Sequence, residues 1–185
     1  MSNAASSELA TDTGSPQTGS CLCGQIAYEI LLSGVAPKFI TLCHCINCKK
    51  WGGGGFSWNG FISCDVRLFL FAISRPRLAH KPPHCVICQQ VRFTKGKELL
   101  KAYEDNGTGS GRAILRHFCP NCGSPVMATI PGRTDICGIT AGTLDGDVSD
   151  TWKPQLEVMC KDRPKWLPDI GLKQFETTPE EYKKK

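Results

Sequence analysis

The chain has 185 residues, 41% of them apolar and 21% charged, with a formal charge of +5. That suits one packed domain: it is too short for two full ones and too apolar for global disorder. The longest apolar run, residues 68–73, is far too short to cross a bilayer. The first 20 residues lack a basic start followed by an apolar stretch, so no secretory signal is expected and the location is cytoplasmic or nuclear.

Residues 1–17 are rich in Ser, Thr, Ala and Gly and read as a disordered leader. Residues 25–31 then alternate, with Ile26, Tyr28 and Ile30 on one side, and predict a strand. Further strands are expected over residues 38–42, 56–63, 99–104, 113–118, 126–130 and 136–141, with a turn at 106–111. Residues 154–175 hold three prolines and no helical periodicity, and read as an extended arm over the surface. The tail, residues 177–185, is charged, and Pro179, Glu180 and Glu181 suit one helical turn. With 19 glycines and 12 prolines the chain favours turns over long helices. The expected fold is mainly β, a single domain over residues 18–176 with long loops.

The informative count is 12 cysteines. Without a secretory signal, metal ligation outranks a disulfide framework. Ionising seven of them around two dications would lower the net charge by about three. Three of the positive charges are the terminal Lys183, Lys184 and Lys185, and Lys49–Lys50 is the remaining basic pair. Nucleic acid is therefore an improbable partner.

Cys21-Leu-Cys23 places two sulfurs on one face of an extended segment. Cys119-Pro-Asn-Cys122-Gly123 is a knuckle that aims two more inward, with Gly123 free to take positive φ as the chain leaves the turn. Four thiolates make a closed tetrahedral zinc site of the structural kind. Cys43-His-Cys45-Ile-Asn-Cys48 offers three further thiolates from one segment. Such a set leaves a fourth position open, as in catalytic sites, or is closed by a ligand elsewhere. His44 lies between two ligands and should point away. Zinc on three thiolates is a weak Lewis acid, so the second site points to thiol chemistry rather than hydrolysis. The run that follows, Gly52, Gly53, Gly54 and Gly55, either exposes backbone N–H groups to an anionic, peptide-like ligand or is only a flexible loop.

Three blocks carry a resemblance: Gly19-Ser-Cys-Leu-Cys-Gly24, Cys43-His-Cys-Ile-Asn-Cys-Lys-Lys50 and Arg116-His-Phe-Cys-Pro-Asn-Cys-Gly-Ser124. They resemble the glutathione-dependent formaldehyde-activating enzyme family, also named after centromere protein V. Ala141-Gly-Thr-Leu-Asp145 and Arg163-Pro-Lys-Trp166 fit its later segments. The resemblance implies a zinc-stabilised β-tent and two zinc ions per chain. It puts one, structural, on Cys21, Cys23, Cys119 and Cys122, and one, catalytic, on Cys43, Cys45 and Cys48. It implies carbon–sulfur lyase chemistry on S-hydroxymethylglutathione, with glutathione or its aldehyde adduct as ligand. The rival is a non-enzymatic zinc-binding interaction module, chromatin- or cytoskeleton-associated. A metal-storage or redox role for the thiols is the third reading.

Residues 65–91 depart from the family pattern. They hold Cys85, Cys88, His80 and His84, and read as a surface insertion, a third metal half-site or a translated intron. His117 is expected to be structural or to support the ligands. Cys64, Cys137 and Cys160 are expected to be small buried hydrophobes, and Trp152 and Trp166 to pack the C-terminal arm. Asp145 suits a turn as well as it suits a catalytic acid.

Overall fold

The computed structural model describes residues 16–31, 37–64 and 90–180. Eleven strands and one short α-helix make up its regular structure, with single 3-10 turns between them. The strands are β1 (Gln17–Ser20), β2 (Ala27–Ile30), β3 (Phe39–Cys43), β4 (Ser57–Ser63), β5 (Val91–Lys95) and β6 (Lys101–Asp105). They continue as β7 (Ile114–Phe118), β8 (Pro125–Thr129), β9 (Ile136–Thr140), β10 (Leu156–Val158) and β11 (Lys173–Phe175). The helix, α1, spans Ile46–Gly52.

Two open sheets form. The smaller is antiparallel, in the order β1-β2-β5; the larger has eight strands, in the order β11-β10-β3-β4-β9-β8-β7-β6. Its strands from β3 to β6 run antiparallel, while β10 and β11 join parallel beside β3. The core lies between the sheets. Tyr28, Ile30 and Val91 from the small sheet meet Ile40, Ile62, Val126 and Ile139 from the large one, with Trp152 fully enclosed among them. Strand alternation sends Ile40 and Leu42 into this core and leaves Phe39, Thr41 and Cys43 on the opposite face. Registers carry that division across the sheet. Phe61 pairs with Gly138, Gly138 with Ala128 and Ala128 with Arg116, all on the face away from the core.

Trp152 rests directly on β4 because position 60 is glycine. A Cβ there would stand 1.9 Å from the indole ring, which no side chain tolerates.

The expected strands over 25–31, 38–42, 56–63, 99–104, 113–118, 126–130 and 136–141 appear as β2, β3, β4, β6, β7, β8 and β9. Several expectations are corrected. Gln17, the last residue of the expected leader, pairs with Ile30 in β1, and residues 1–15 lie outside the described residues. The arm is not merely laid over the surface: Leu156–Val158 and Lys173–Phe175 extend the large sheet. Trp152 belongs to the central core rather than to the arm. Cys64 and Cys137 are buried as expected, although Cys64 is disulfide-bonded rather than a free thiol, whereas Cys160 is half-buried in a 3-10 turn. Cys85, Cys88, His80, His84 and the end of the tail lie outside the described residues. Among the described residues no helix is long and apolar enough to cross a membrane.

Candidate functional site

The four sulfurs of Cys21, Cys23, Cys119 and Cys122 all lie within 4.8 Å of one another. Cys21 and Cys23 are 3.5 Å apart, and Cys23 and Cys119 are 3.7 Å apart, across 96 residues of chain. Sulfurs held at about 2.3 Å by a tetrahedral zinc would be roughly 3.8 Å apart, so the set fits that ion. Each pair sits in a tight turn. Gly24 donates to the Cys21 carbonyl at 2.8 Å and Gly123 to the Cys119 carbonyl at 2.8 Å. Both glycines have positive φ, 66° and 74°, the conformation that lets the chain leave such a turn. Backbone N–H of Ile26 points at the Cys21 sulfur at 3.3 Å, and Ser124 Oγ lies 3.3 Å from that of Cys122. Cys21 and Cys119 are buried among Ile26, Phe93 and Leu100. This is the partition expected from the spacing, and it fastens the start of the small sheet to the β7–β8 turn.

The second cluster forms at the end of β3. Cys43 closes that strand with its side chain on the face away from the core. Cys45 is the N-cap of α1, its backbone extended and its sulfur accepting from Cys48 N–H at 3.3 Å. Cys48 stands one turn into the helix, so the i, i+3 relation brings its sulfur back beside the cap. The three sulfurs lie within 4.8 Å of one another. Hydrogen bonds from Cys43 and Cys48 hold the Cys45 thiol far below its ordinary range, while its neighbours Cys45 and Cys48 push the Cys43 thiol far above its own. Left to themselves the three thiols share one negative charge; three thiolates need a cation between them. The donor set fits zinc.

Helix α1 is the feature that sequence reasoning missed: Cys48 reaches the cluster through a helical turn. Gly53 ends that helix with φ 68°, its N–H donating to the Lys49 carbonyl. Gly53, Gly54 and Gly55 are not among the residues lining the cavity described below. Gly55 instead lies under Trp166, which is otherwise exposed, and its carbonyl faces His44 Nδ1 at 3.5 Å.

Between Cys43 and Cys45 the chain alternates, and His44 turns to the other side. It is fully buried, with Nε2 3.1 Å from Glu157 Oε1 on β10. Arg163 Nε donates to the same oxygen at 3.3 Å, and its Nη1 donates to the Leu167 carbonyl at 2.6 Å. His44 is thus not the fourth ligand, as expected; it pins the cluster's segment to β10 and to the loop after it.

Arg116 was not singled out from the sequence. From β7 it brings both terminal nitrogens to 3.9 Å from the Cys48 sulfur, over the ring of Trp51 at 5.7 Å. A buried Asp105 fixes it, accepting from Nε at 2.8 Å, and Asn47 Nδ2 and the Gly107 N–H hold Asp105 in turn. Burial opposes the charged guanidinium, and Cys48 and Asp105 beside it more than offset that and keep it charged. The pairing of a cysteine segment with an Arg four strands along the sheet has no signature in local sequence.

The cluster opens into a cavity of about 210 Å³ on the face of the large sheet turned away from the core. Cys43, Cys45, Cys48 and Arg116 line one part of it; Phe39, Phe61, Ile130 and Leu156 line much of the rest. None of the four cysteines of the first cluster lines it. Among the other residues marked in the sequence, His117 is buried with Nε2 2.9 Å from Thr129 Oγ1, a structural contact. Asp145 accepts from Ser20 Oγ at 2.9 Å and serves the turn that receives β1.

Comparison with known proteins follows from this geometry. A family model described as glutathione-dependent formaldehyde-activating enzyme matches residues 16–68 and 78–162, well over half of the chain. The unmatched residues between these stretches fall inside the segment read as an insertion. No curated protein matches the sequence. Among solved structures, the crystal structure of a Rhodobacter sphaeroides protein is similar at 18% identity, covering 85% of this chain and 98% of its own, with a TM-score of 0.46.

Proposed function

The chain belongs to the glutathione-dependent formaldehyde-activating enzyme family, and from that premise we propose that it is a carbon–sulfur lyase that makes and breaks S-hydroxymethylglutathione. The observation that carries this reading is the three-cysteine cluster opening onto a cavity while the four-cysteine cluster stays apart from it. One site is built to hold the fold and the other to receive a ligand. When bound, a zinc ion at Cys43, Cys45 and Cys48 supplies the positive charge that keeps a substrate sulfur ionised near neutral pH.

The remaining work falls to the chain's own groups. In the forward direction the glutathione sulfur forms a bond to the aldehyde carbon. The carbonyl π pair moves onto oxygen, and the thiol's proton ends there as the new hydroxyl. In reverse the hydroxyl proton returns and the carbon–sulfur bond breaks. Arg116 keeps a fixed positive charge beside the cluster, held in place by Asp105. The apolar walls exclude water, which strengthens that field. His44 and Glu157 lock the backbone between Cys43 and Cys45, so the sulfurs need not reorganise. A thiol substrate and a cysteine-rich chain suit a reducing compartment, so we place the reaction in the cytoplasm.

The test is Cys45→Ser. Exchange between glutathione with formaldehyde and the adduct, followed by NMR, should slow by at least about a hundredfold. One metal per chain should remain, and the thermal midpoint should stay within a few degrees of the parent. Unchanged exchange, or loss of fold in step with activity, would overturn the reading.

A further inference from the structure

Formaldehyde adds one carbon to the sulfur, yet the cavity is far larger than one carbon requires. It encloses about 210 Å³, whereas a single water needs roughly 10–15 Å³ of such space. Most of its wall is apolar. Phe39 and Phe61 stack with ring centres 4.7 Å apart. Ile130, Ile136, Leu156 and Met159 continue the surface. Phe39, Phe61, Ile130 and Leu156 are only half-buried, so apolar area is left facing a concavity, the usual mark of a ligand surface. Three cations stand on the wall: Arg116 is paired with Asp105, Arg133, toward solvent, with Asp135, and Arg112 lies in the loop between β6 and β7. Two carboxylates and an ammonium, the charges of glutathione, would lose their water against such walls without compensation.

Resting on the lyase reading above, we propose that this cavity is a specificity pocket for adducts whose aldehyde-derived group is apolar, an aromatic ring or an alkyl chain of similar size. The sulfur sits at Cys43, Cys45 and Cys48, the apolar group lies along Phe39, Phe61 and Leu156, and the charged tripeptide stays at the mouth beside Arg133. The bonds made and broken are those already described. The aldehyde differs only in what its carbon bears, and no oxidant or further reactant is required.

Stable thioethers separate the possibilities. Binding of S-methylglutathione, S-benzylglutathione and phenylmethanethiol to the metal-loaded full chain is measured by calorimetry. S-Benzylglutathione should bind at least tenfold more tightly than S-methylglutathione, and Ala128→Leu, which fills the cavity face, should erase that ratio. Equal affinity for the two thioethers in the parent protein would overturn the apolar pocket and leave the lyase reading standing. Binding of phenylmethanethiol with neither thioether would remove glutathione as substrate and keep the apolar preference. If none of the three binds, both readings fall.

Discussion

Cys137 shows how much one residue's position decides. It belongs to β9, pairs with Ile62 and turns its side chain into the core, so burial raises its thiol to about 12. The thiolate is the reactive form, and at pH 8 it is all but absent at this position. Iodoacetamide at that pH should therefore leave Cys137 unmodified in the folded, metal-loaded protein and modify it once the chain is unfolded, as read by peptide mass mapping. Rapid labelling in the native state would show that β9 opens. Arg116 depends on position in the opposite sense. Its local sequence, Arg116-His-Phe-Cys, marks only the cysteine knuckle that follows. Its closeness to Cys48 arises from strand pairing with β8 and β6, across 68 residues of chain.

Among the elements, β4 has the most exacting contact, between Gly60 and Trp152. Gly60→Ala must push the indole away or bend the strand, and overpacking of this kind costs about 1–3 kcal/mol; urea unfolding should show the midpoint fall with an unchanged slope. The strands that sequence reasoning found share one property: β-branched or aromatic residues alternating over about five positions between turn residues, as in Phe39–Cys43 and Ile136–Thr140. Of those it missed, Val91–Lys95 has that length but opens at the end of the stretch read as an insertion, while Gln17–Ser20 and the two in the arm are shorter. Leu156–Val158 and Lys173–Phe175 are three-residue strands in a proline-rich stretch, defined only by the neighbour they pair with. Helix α1 escaped notice because its cap is a cysteine, a residue with no standing as an N-cap, and because glycines follow within two turns. Both cysteine clusters were legible, because ligand spacing is a local property of sequence. The cavity was not, because its walls come from strands β3, β4, β8, β9 and β10, distant in the chain.

For the whole molecule, the four-cysteine cluster closes a long connection. It joins residues on either side of a 96-residue separation, and a link of that span is worth about 4 kcal/mol through the entropy of the unfolded chain. Cys119→Ser should release one metal per chain and lower the thermal midpoint by on the order of 10 °C, a large effect where Cys45→Ser produces a small one. Scanning calorimetry with elemental analysis reads both. The eight-stranded sheet has a further consequence. Each of its central strands gives alternate residues to the core and to the ligand cavity, as Ile62 and Phe61 do side by side on β4. A substitution at every second position therefore reshapes what the protein can bind while the packing that keeps it folded is untouched. Such a sheet lets a lineage change its substrates one residue at a time without first acquiring stability to spare.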